Sequence, residues 1–305
     1  MDLSLTSPGN VASASHSVAR RARGTPPQLY FVTSAVFHYL GPSFAVLLFA
    51  RVEVLGVAWL RIASAAVIFA VWRRPWSAFV RLDRDGRWLL VGWGAVLAVM
   101  NACFYEAISR LSLGTVAAIE FLPVIALAAL GARNPRNLGA LALAVVGVSL
   151  LTEVRIAGGP LAFAFAFANA ILFLFYIVLA DRVAKRPELS GLDGLAAAML
   201  IAAVLITPLG GWQAVSALSD PVVLLAGVGI GVCSSVIPYV TDQLALARLP
   251  RATYAVMVAL LPAIATVIGF VVLTQVPSWL EIAGIALVVA GVAVHRPFTS
   301  AVHHR

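Results

Sequence analysis

Charged side chains are scarce in this sequence, and their scarcity excludes an ordinary water-soluble fold. Only 11% of the 305 residues are charged and 62% are hydrophobic, whereas soluble domains are about 25% charged and about 45–50% apolar. A soluble monomer also rarely exposes large continuous apolar surfaces. Much of this chain must therefore face lipid, and the sequence predicts an integral membrane protein.

Cysteines and the common catalytic motifs are also few or missing. Cys103 and Cys233 are the only cysteines, both lie in apolar runs, and no CxxC pair occurs, which indicates neither disulfides nor a zinc site. The sequence has no Walker motif and no HxxxxD, HExxH or GxSxG pattern. We therefore expect no metal, no cofactor and no enzymatic activity, and we expect transport that ATP does not drive directly.

The basic residues are distributed as in a membrane protein. The net charge is +8, but these residues lie in short loops rather than on one face, so the expected partner is a lipid bilayer and not nucleic acid. With the N-terminus in the cytoplasm, seventeen basic residues fall on inner segments and only Arg51, Arg110 and Arg155 on outer ones. This asymmetry obeys the positive-inside rule and predicts that both termini are cytoplasmic. The composition, rich in Arg, Ala and Val, favours a bacterial inner membrane.

Ten apolar runs have roughly the length of a membrane helix, which needs about 20 residues to cross about 30 Å of hydrocarbon. The run that begins at Tyr30 is longer than the apolar part of a signal peptide, about 7–15 residues, so it predicts a retained first helix. Segments 1–29 and 295–305 are expected to be cytoplasmic tails, the first of them disordered. The ten predicted spans are 30–50, 56–72, 88–108, 114–131, 138–152, 160–180, 194–209, 221–246, 252–274 and 278–294.

The two halves of the chain, 30–153 and 160–294, repeat each other weakly. A shift of 138 positions superimposes six residues of 107–122 on identical residues of 245–260, and a shift of 144 does so for five residues of 142–148. Because each half has five spans, an odd number, the second half must be inverted relative to the first, as in many secondary transporters. The predicted fold is all-α, with ten transmembrane helices in two inverted five-helix repeats.

Several stretches resemble the drug/metabolite transporter superfamily (EamA type). The second span, with Arg61, resembles the second-helix region of that superfamily, and the stretches 100–105, 118–121 and 234–249 look like its threonine/homoserine exporter branch. The resemblance covers about residues 30–295. It implies a transporter of ten helices in a five-plus-five repeat that exports an amino acid.

The sequence departs from this family pattern at three acidic or amide positions. Gln275 and Asp242 stand where the family often has glutamate, and Glu106 stands at a usually apolar place. Glu106 precedes Arg110 by one helical turn, so an interfacial ion pair is expected there. The seven tryptophans lie mostly near span ends, as in an aromatic belt, and no chemistry is assigned to them.

Ionisable side chains inside the spans are the candidate functional residues, because a charge within the bilayer is costly unless it faces a cavity or a partner. At about 1.5 Å per residue, Arg61, Asn101 and Glu120 share a layer in the outer half of the membrane. Two interpretations stay open. Either Arg61 and Glu120 neutralise each other structurally, or Glu120 binds a proton or an amine under the influence of Arg61 and of burial.

Three further candidates lie nearer the cytoplasm. Tyr239 and Asp242 share one face of the eighth span behind Pro238. Asp242 is either a coupling group or an interfacial carboxylate near Arg248. His38 is either a proton relay or a hydrogen-bonded packing residue.

Residues Asn169, Phe173 and Tyr176 form a stripe at helical spacing on the sixth span, which suits either a cavity wall or contacts between helices. The predicted substrate-binding residues are Asn101, Tyr105, Glu120, Asn169, Tyr176 and Tyr239. The predicted coupling or ion-pair residues are Glu120, Arg61, Asp242 and His38.

The leading hypothesis is a secondary transporter that exports an amino acid or a related compound in exchange for protons by alternating access. One alternative is a membrane-embedded lipid-modifying enzyme, although the loops are too short for its reactive cluster. Another is a passive channel or a scaffold without transport, but channels line a pore with repeated polar rings and the second-half counterpart of Glu120 is Val258. The expected partners are a small-molecule substrate, the bilayer and protons, and a homodimer is left open.

Overall fold

The computed structural model describes residues 26–76, 80, 82–123, 125–126, 135–154, 159–186, 191–249, 254 and 257–294. Within these ranges the secondary structure is helical and no strand occurs. Parts of the predicted fourth and ninth spans and most of both predicted tails lie outside the described residues. The principal helices are α1 (Pro27–Leu48), α2 (Val54–Arg73), α3 (Arg84–Ile108), α4 (Leu113–Glu120), α5 (Pro135–Val154), α6 (Gly159–Ala184), α7 (Gly191–Ile206), α8 (Pro221–Gly231), α9 (Ile237–Leu246), α10 (Leu261–Leu273) and α11 (Trp279–Val294).

The lengths and composition of these helices agree with an all-α membrane protein. In the described part of the chain, six helical segments are long and apolar enough to cross a bilayer, and three shorter apolar helices accompany them. The six are Pro27–Leu48, Val54–Arg73, Arg84–Ile108, Gly159–Ala184, Leu192–Gly211 and Pro221–Asp242, and the three are Pro135–Leu151, Leu261–Leu273 and Trp279–Val294.

The predicted eighth span is not one regular helix. A π-helical turn, Val232–Val236, separates α8 from α9, and a second such turn, Thr207–Gly211, follows α7. Each turn lies beside or contains a proline, Pro238 and Pro208. Proline has no N–H and clashes with the preceding turn, so the local hydrogen-bonding pattern must change.

The main helix pairs each join the first half of the chain to the second. Helix α5 packs against α11, α3 against α6 and α7, and α2 against α7 and α8. Helix α1 packs against α9 and α10, and α4 against α6 and α10. The two halves are therefore interleaved, and residues of both halves surround the centre of the molecule.

Close backbone approach fixes the crossing of α5 and α11. A Cβ on Gly147 would lie 2.6 Å from the carbonyl oxygen of Gly284, and one on Gly291 would lie 2.7 Å from that of Ala140. Small residues at such crossings allow two membrane helices to pack backbone against backbone. Glycine is needed at these positions because a side chain has no room.

The connections α3–α4 and α9–α10 begin with the same local structure. The backbone N–H groups of Arg110 and Leu111 donate to Ala107, at 3.1 and 2.8 Å, and those of Arg248 and Leu249 donate to Ala245, at 3.0 and 2.8 Å. Each arginine also donates through Nη1 to the carbonyl oxygen four residues earlier. Each lies over an aromatic ring on another helix: Phe165 for the first and Tyr30 for the second.

Candidate functional site

The guanidinium of Arg61 is held near the centre of the molecule by the π-helical turn of the eighth span. Arg61 lies on α2 and is 6% exposed. Its Nε donates to Ser235 Oγ at 3.3 Å and its Nη2 donates to the carbonyl oxygen of Ser234 at 3.2 Å. Because Pro238 has no N–H, the carbonyl of Ser234 lacks its usual helical donor. The guanidinium supplies one and lies over the ring of Tyr105, 5.5 Å from its centroid.

The carboxylate of Glu120 is a second buried charge, within electrostatic range of Arg61. Glu120 ends α4, is 6% exposed, and accepts a hydrogen bond of 3.1 Å from Asn169 Nδ2 of α6. Arg61 and Glu120 attract each other electrostatically, but their hydrogen bonds among the described residues go to other partners. The two charges therefore interact at a distance, and in the described part of the chain no direct ion pair joins them.

Five buried polar atoms have no hydrogen-bond partner in the described part of the structure. They are Tyr39 Oη, Trp93 Nε1, Tyr105 Oη, Asn169 Oδ1 and Ser234 Oγ. Most buried polar groups in proteins are hydrogen-bonded, so a group of exceptions needs an explanation. Three of these atoms belong to residues that contact Arg61 or Glu120.

A row of aromatic rings begins at Phe121, the residue after Glu120, and continues along α6. The ring of Phe121 meets that of Phe173 at 6.2 Å, Phe173 stacks on Tyr176 at 6.3 Å, and Tyr176 lies 5.6 Å from Trp93. Tyr176 also interacts with Tyr239. The structure thus brings the predicted residues Glu120, Asn169, Tyr176 and Tyr239 into one connected group.

The other predicted residues have more local surroundings. Asn101 is buried, and its Nδ2 donates to the carbonyl of Leu97 in its own helix at 2.8 Å. The ring of His38 meets that of Tyr39 edge to face at 5.1 Å, and His38 is within electrostatic range of Arg61.

Two further acids had a predicted arginine neighbour: Arg248 in one interpretation of Asp242, and Arg110 for Glu106. Asp242 accepts a hydrogen bond of 2.7 Å from Tyr254, while Arg248 donates to the carbonyl of Leu244. The expected ion pair of Glu106 and Arg110 is present.

Glu281 is a buried acid that was not among the residues predicted from the sequence. Glu281 is 2% exposed, and its Oε1 accepts hydrogen bonds from Ser112 at 3.1 Å and from Thr115 at 3.5 Å. Its Oε2 accepts from the backbone N–H of Ser278 at 2.9 Å, and Ser278 Oγ accepts from the backbone N–H of Glu281 at 3.2 Å. This is a capping box at the start of α11, and the SxxE pattern was its signal in the sequence. Gln275 Oε1 accepts from the N–H of Leu113 at 3.2 Å, so the start of α4 is attached both to α11 and to the segment before it.

Helix α2 is attached at one end to α7 and at the other to the turn that follows the π-helical segment Thr207–Gly211. Near the end of α2, Arg73 forms a 2.8 Å salt bridge with Asp193. Near its start, the backbone N–H of Gly56 donates to Gln213 Oε1 at 3.1 Å. Since α2 belongs to the first half and both of its partners to the second, these contacts join the halves on both sides of the central site.

Sequence comparison finds a family match and close named relatives. Residues 160–295 match the EamA-like transporter family. The chain is 30% identical over 257 residues to the threonine/homoserine exporter RhtA of Escherichia coli (strain K12) and equally to that of Salmonella typhimurium (strain LT2). Each match covers 82% of this chain and 84% of the relative.

Comparison with solved structures gives a likeness of fold. One crystal structure, described only as that of a protein, superimposes with a TM-score of 0.57 at 18% identity, covering 87% of this chain and 96% of the other. At this identity the likeness concerns the fold alone.

Proposed function

This chain belongs to the EamA-like transporter family, in the branch of the threonine/homoserine exporters, and we propose that it exports an amino acid in exchange for protons by alternating access. The observation that carries the proposal is the buried pair of opposite charges, Arg61 and Glu120, among helices of both halves. Ionisable groups inside a membrane protein usually serve a transport pathway because burying them is otherwise costly.

The proposed architecture has ten membrane helices in two inverted halves: α1–α5, then α6, α7, the α8–α9 span, α10 and α11. The helix contacts support it. If the helices are counted as ten spans, with α8–α9 as the eighth, each span of the first half has its counterpart five spans later. Exchanging counterparts turns the contact of α3 with α6 into that of the eighth span with α1. The same operation turns the contact of α3 with α7 into that of the eighth span with α2. The pairs α5–α11, α2–α7 and α4–α10 map onto themselves.

Two local features are consistent with the same symmetry. The close approach of Gly147 to Gly284 corresponds, at a shift of 144, to that of Gly291 to Ala140. The connections that contain Arg110 and Arg248 share their backbone hydrogen bonds at a shift of 138. Two such halves have two equivalent ways of packing, which would open the site to one side or the other. The positive-inside rule puts both termini in the cytoplasm.

Coupling requires a group that holds either a proton or the substrate, but not both. The carboxylate of Glu120 suits this role because it is buried and is hydrogen-bonded only to a neutral amide among the described residues. In the proposed cycle, Glu120 releases its proton when the substrate binds from the cytoplasm and takes one up after the substrate leaves outside. The fixed positive charge of Arg61 makes the unoccupied, ionised state tolerable.

Counterflow tests the proposal. Purified protein in vesicles loaded with unlabelled threonine or homoserine should accumulate the labelled amino acid from outside, without any ion gradient. The Glu120→Gln variant should keep counterflow at saturating threonine, although with weaker binding, and should lose uptake driven by an imposed pH gradient. The matched control is Glu106→Gln, which removes an acid ion-paired at the outer end of α3 and should retain both activities.

Absence of counterflow for every amino acid tried would overturn amino-acid transport. Gradient-driven uptake by Glu120→Gln at the wild-type rate would overturn its coupling role.

A further inference from the structure

The unpaired donors and acceptors around the central charges specify the charge pattern of the ligand. We propose that the substrate binds as a zwitterion, with its carboxylate at a donor subsite of Arg61, Tyr105 and Ser234. Its ammonium group then lies at an acceptor subsite, which consists of Glu120, Asn169 and Tyr39. This inference rests on the proposed export of an amino acid and assigns the two charged ends of that substrate to named residues.

The donor subsite has hydrogen-bonding capacity that the protein does not use. A guanidinium has five N–H groups, and the hydrogen bonds of Arg61 within the described ranges use its Nε and Nη2. Its neighbours Tyr105 and Ser234 are both buried, and neither hydroxyl makes a hydrogen bond of normal length and angle to a described residue. The Tyr105 hydroxyl lies in the vicinity of both the guanidinium and Ser234. A carboxylate supplies the missing acceptor, and arginine binds it in a planar, two-pronged geometry.

The acceptor subsite is the complement of the donor subsite. Asn169 donates through Nδ2 to Glu120 Oε1, which leaves its own Oδ1 buried and unpartnered within the described structure. The hydroxyl of Tyr39 is buried without a described partner too, and it is within electrostatic range of Glu120. An ammonium group has three N–H donors and no acceptor, so it fits a carboxylate, an amide oxygen and a hydroxyl together.

Because Arg61 and Glu120 lie within electrostatic range of each other, the two subsites together select a ligand that carries both charges. A simple anion next to Arg61 would be repelled by Glu120, and a simple amine next to Glu120 would be repelled by Arg61. A zwitterion pairs with both, and it also satisfies buried polar groups that are otherwise unsatisfied. Sites built to hydrogen-bond a ligand reject analogues that lack the matching group, because the protein group is then left unpaired.

Competition against labelled threonine on the purified wild-type protein tests the inference. Threonine methyl ester keeps the ammonium and removes the carboxylate charge, whereas N-acetylthreonine keeps the carboxylate and removes the ammonium. Each should bind about ten- to a hundredfold more weakly than threonine, the range expected for losing a charge-assisted contact. Equal binding of either analogue overturns the inference while amino-acid export stands. If no amino acid binds or is transported in any form, the proposed function itself fails.

Two mild variants assign the subsites. Tyr105→Phe and Ser234→Ala remove one hydroxyl each and should weaken threonine binding by about three- to tenfold, with no effect on the ester, which lacks the charge they recognise. Ser149→Ala is the matched control, because Ser149 is exposed and donates to the carbonyl of Val145 in its own helix. A parallel loss for threonine and the ester would contradict the assignment. If a variant fails to elute as a single species, the wild-type analogue series alone decides.

Discussion

Replacing Gly41 by alanine tests whether the π-helical turn of the eighth span positions Arg61. Gly41 lies on α1 beside this turn, and a Cβ there would be 2.0 Å from Ser234 Oγ, 2.7 Å from its backbone nitrogen and 2.9 Å from its Cα. The hydroxyl can rotate away, but the backbone atoms cannot. Since non-bonded carbon atoms settle about 3.5–4.0 Å apart, the added methyl pushes the turn away from α1 by roughly 1 Å.

Such a displacement has a thermodynamic and a functional cost. Overpacking of a close-packed site costs about 1–3 kcal/mol. The same movement changes the geometry of both hydrogen bonds from Arg61 to this turn, which are 3.2 and 3.3 Å long. A loss of about 1.4 kcal/mol corresponds to about a tenfold weaker binding equilibrium. We therefore expect Gly41→Ala to lower the melting temperature and to weaken threonine binding by about tenfold or more.

Melting in detergent and labelled-threonine binding are the two measurements. The matched control is Gly229→Ala on α8, where a Cβ would have nothing within 4 Å. Both substitutions replace a helical glycine, so the gain in helix propensity is common to them and the difference reports the steric clash. If Gly41→Ala melts and binds threonine as Gly229→Ala does, the close contact of α1 with the turn does not position Arg61.

Three further predictions concern the periphery of the site. Glu281→Gln should lower the free energy of unfolding by about 1–2 kcal/mol, because one of the two acceptors of the buried capping box is lost; an unchanged denaturant midpoint would contradict this. Arg73→Gln and Asp193→Asn should each reduce transport, and the double variant should reduce it little further, because either single change already breaks the same salt bridge. Fully additive losses in the double variant would mean that this salt bridge does not act as a unit. A cysteine introduced at Ser216 should react with an impermeant thiol reagent in intact cells while one at Asp85 should not, and the reverse labelling would overturn the proposed orientation.

The approximate positions of the helices were predictable because a membrane span is determined by its own local sequence. The lengths of the apolar runs and the alternation of arginine between loops follow from bilayer thickness and from the positive-inside rule. Depth along each predicted span also pointed to Arg61 and Glu120, both of which are buried, because a charge inside an apolar run is costly. Asn169 and Tyr176 followed from helical spacing on α6, a local property as well.

What the sequence did not reveal depends on contacts between helices. Depth alone put Asn101 in the same layer as Arg61 and Glu120, but its amide donates to the carbonyl of Leu97 in its own helix. Trp93 looked like part of an aromatic belt and is instead buried against Tyr176. The role of Ser234 depends on a carbonyl that Pro238 leaves without a donor and on a guanidinium 173 residues away along the chain. No periodicity within one helix reports such a contact.

Proton movement caused by the substrate is the most direct test of the central claim that Glu120 couples amino-acid export to protons. Vesicles that contain the purified protein and a trapped pH-sensitive dye are given threonine outside, with no ion gradient imposed. Wild-type vesicles should become more alkaline inside, because protons leave as threonine enters. Vesicles with Glu120→Gln should show no pH change, while counterflow of labelled threonine continues at saturating threonine. Threonine uptake without a pH change in the wild type, or an unchanged proton signal with Glu120→Gln, would contradict the account.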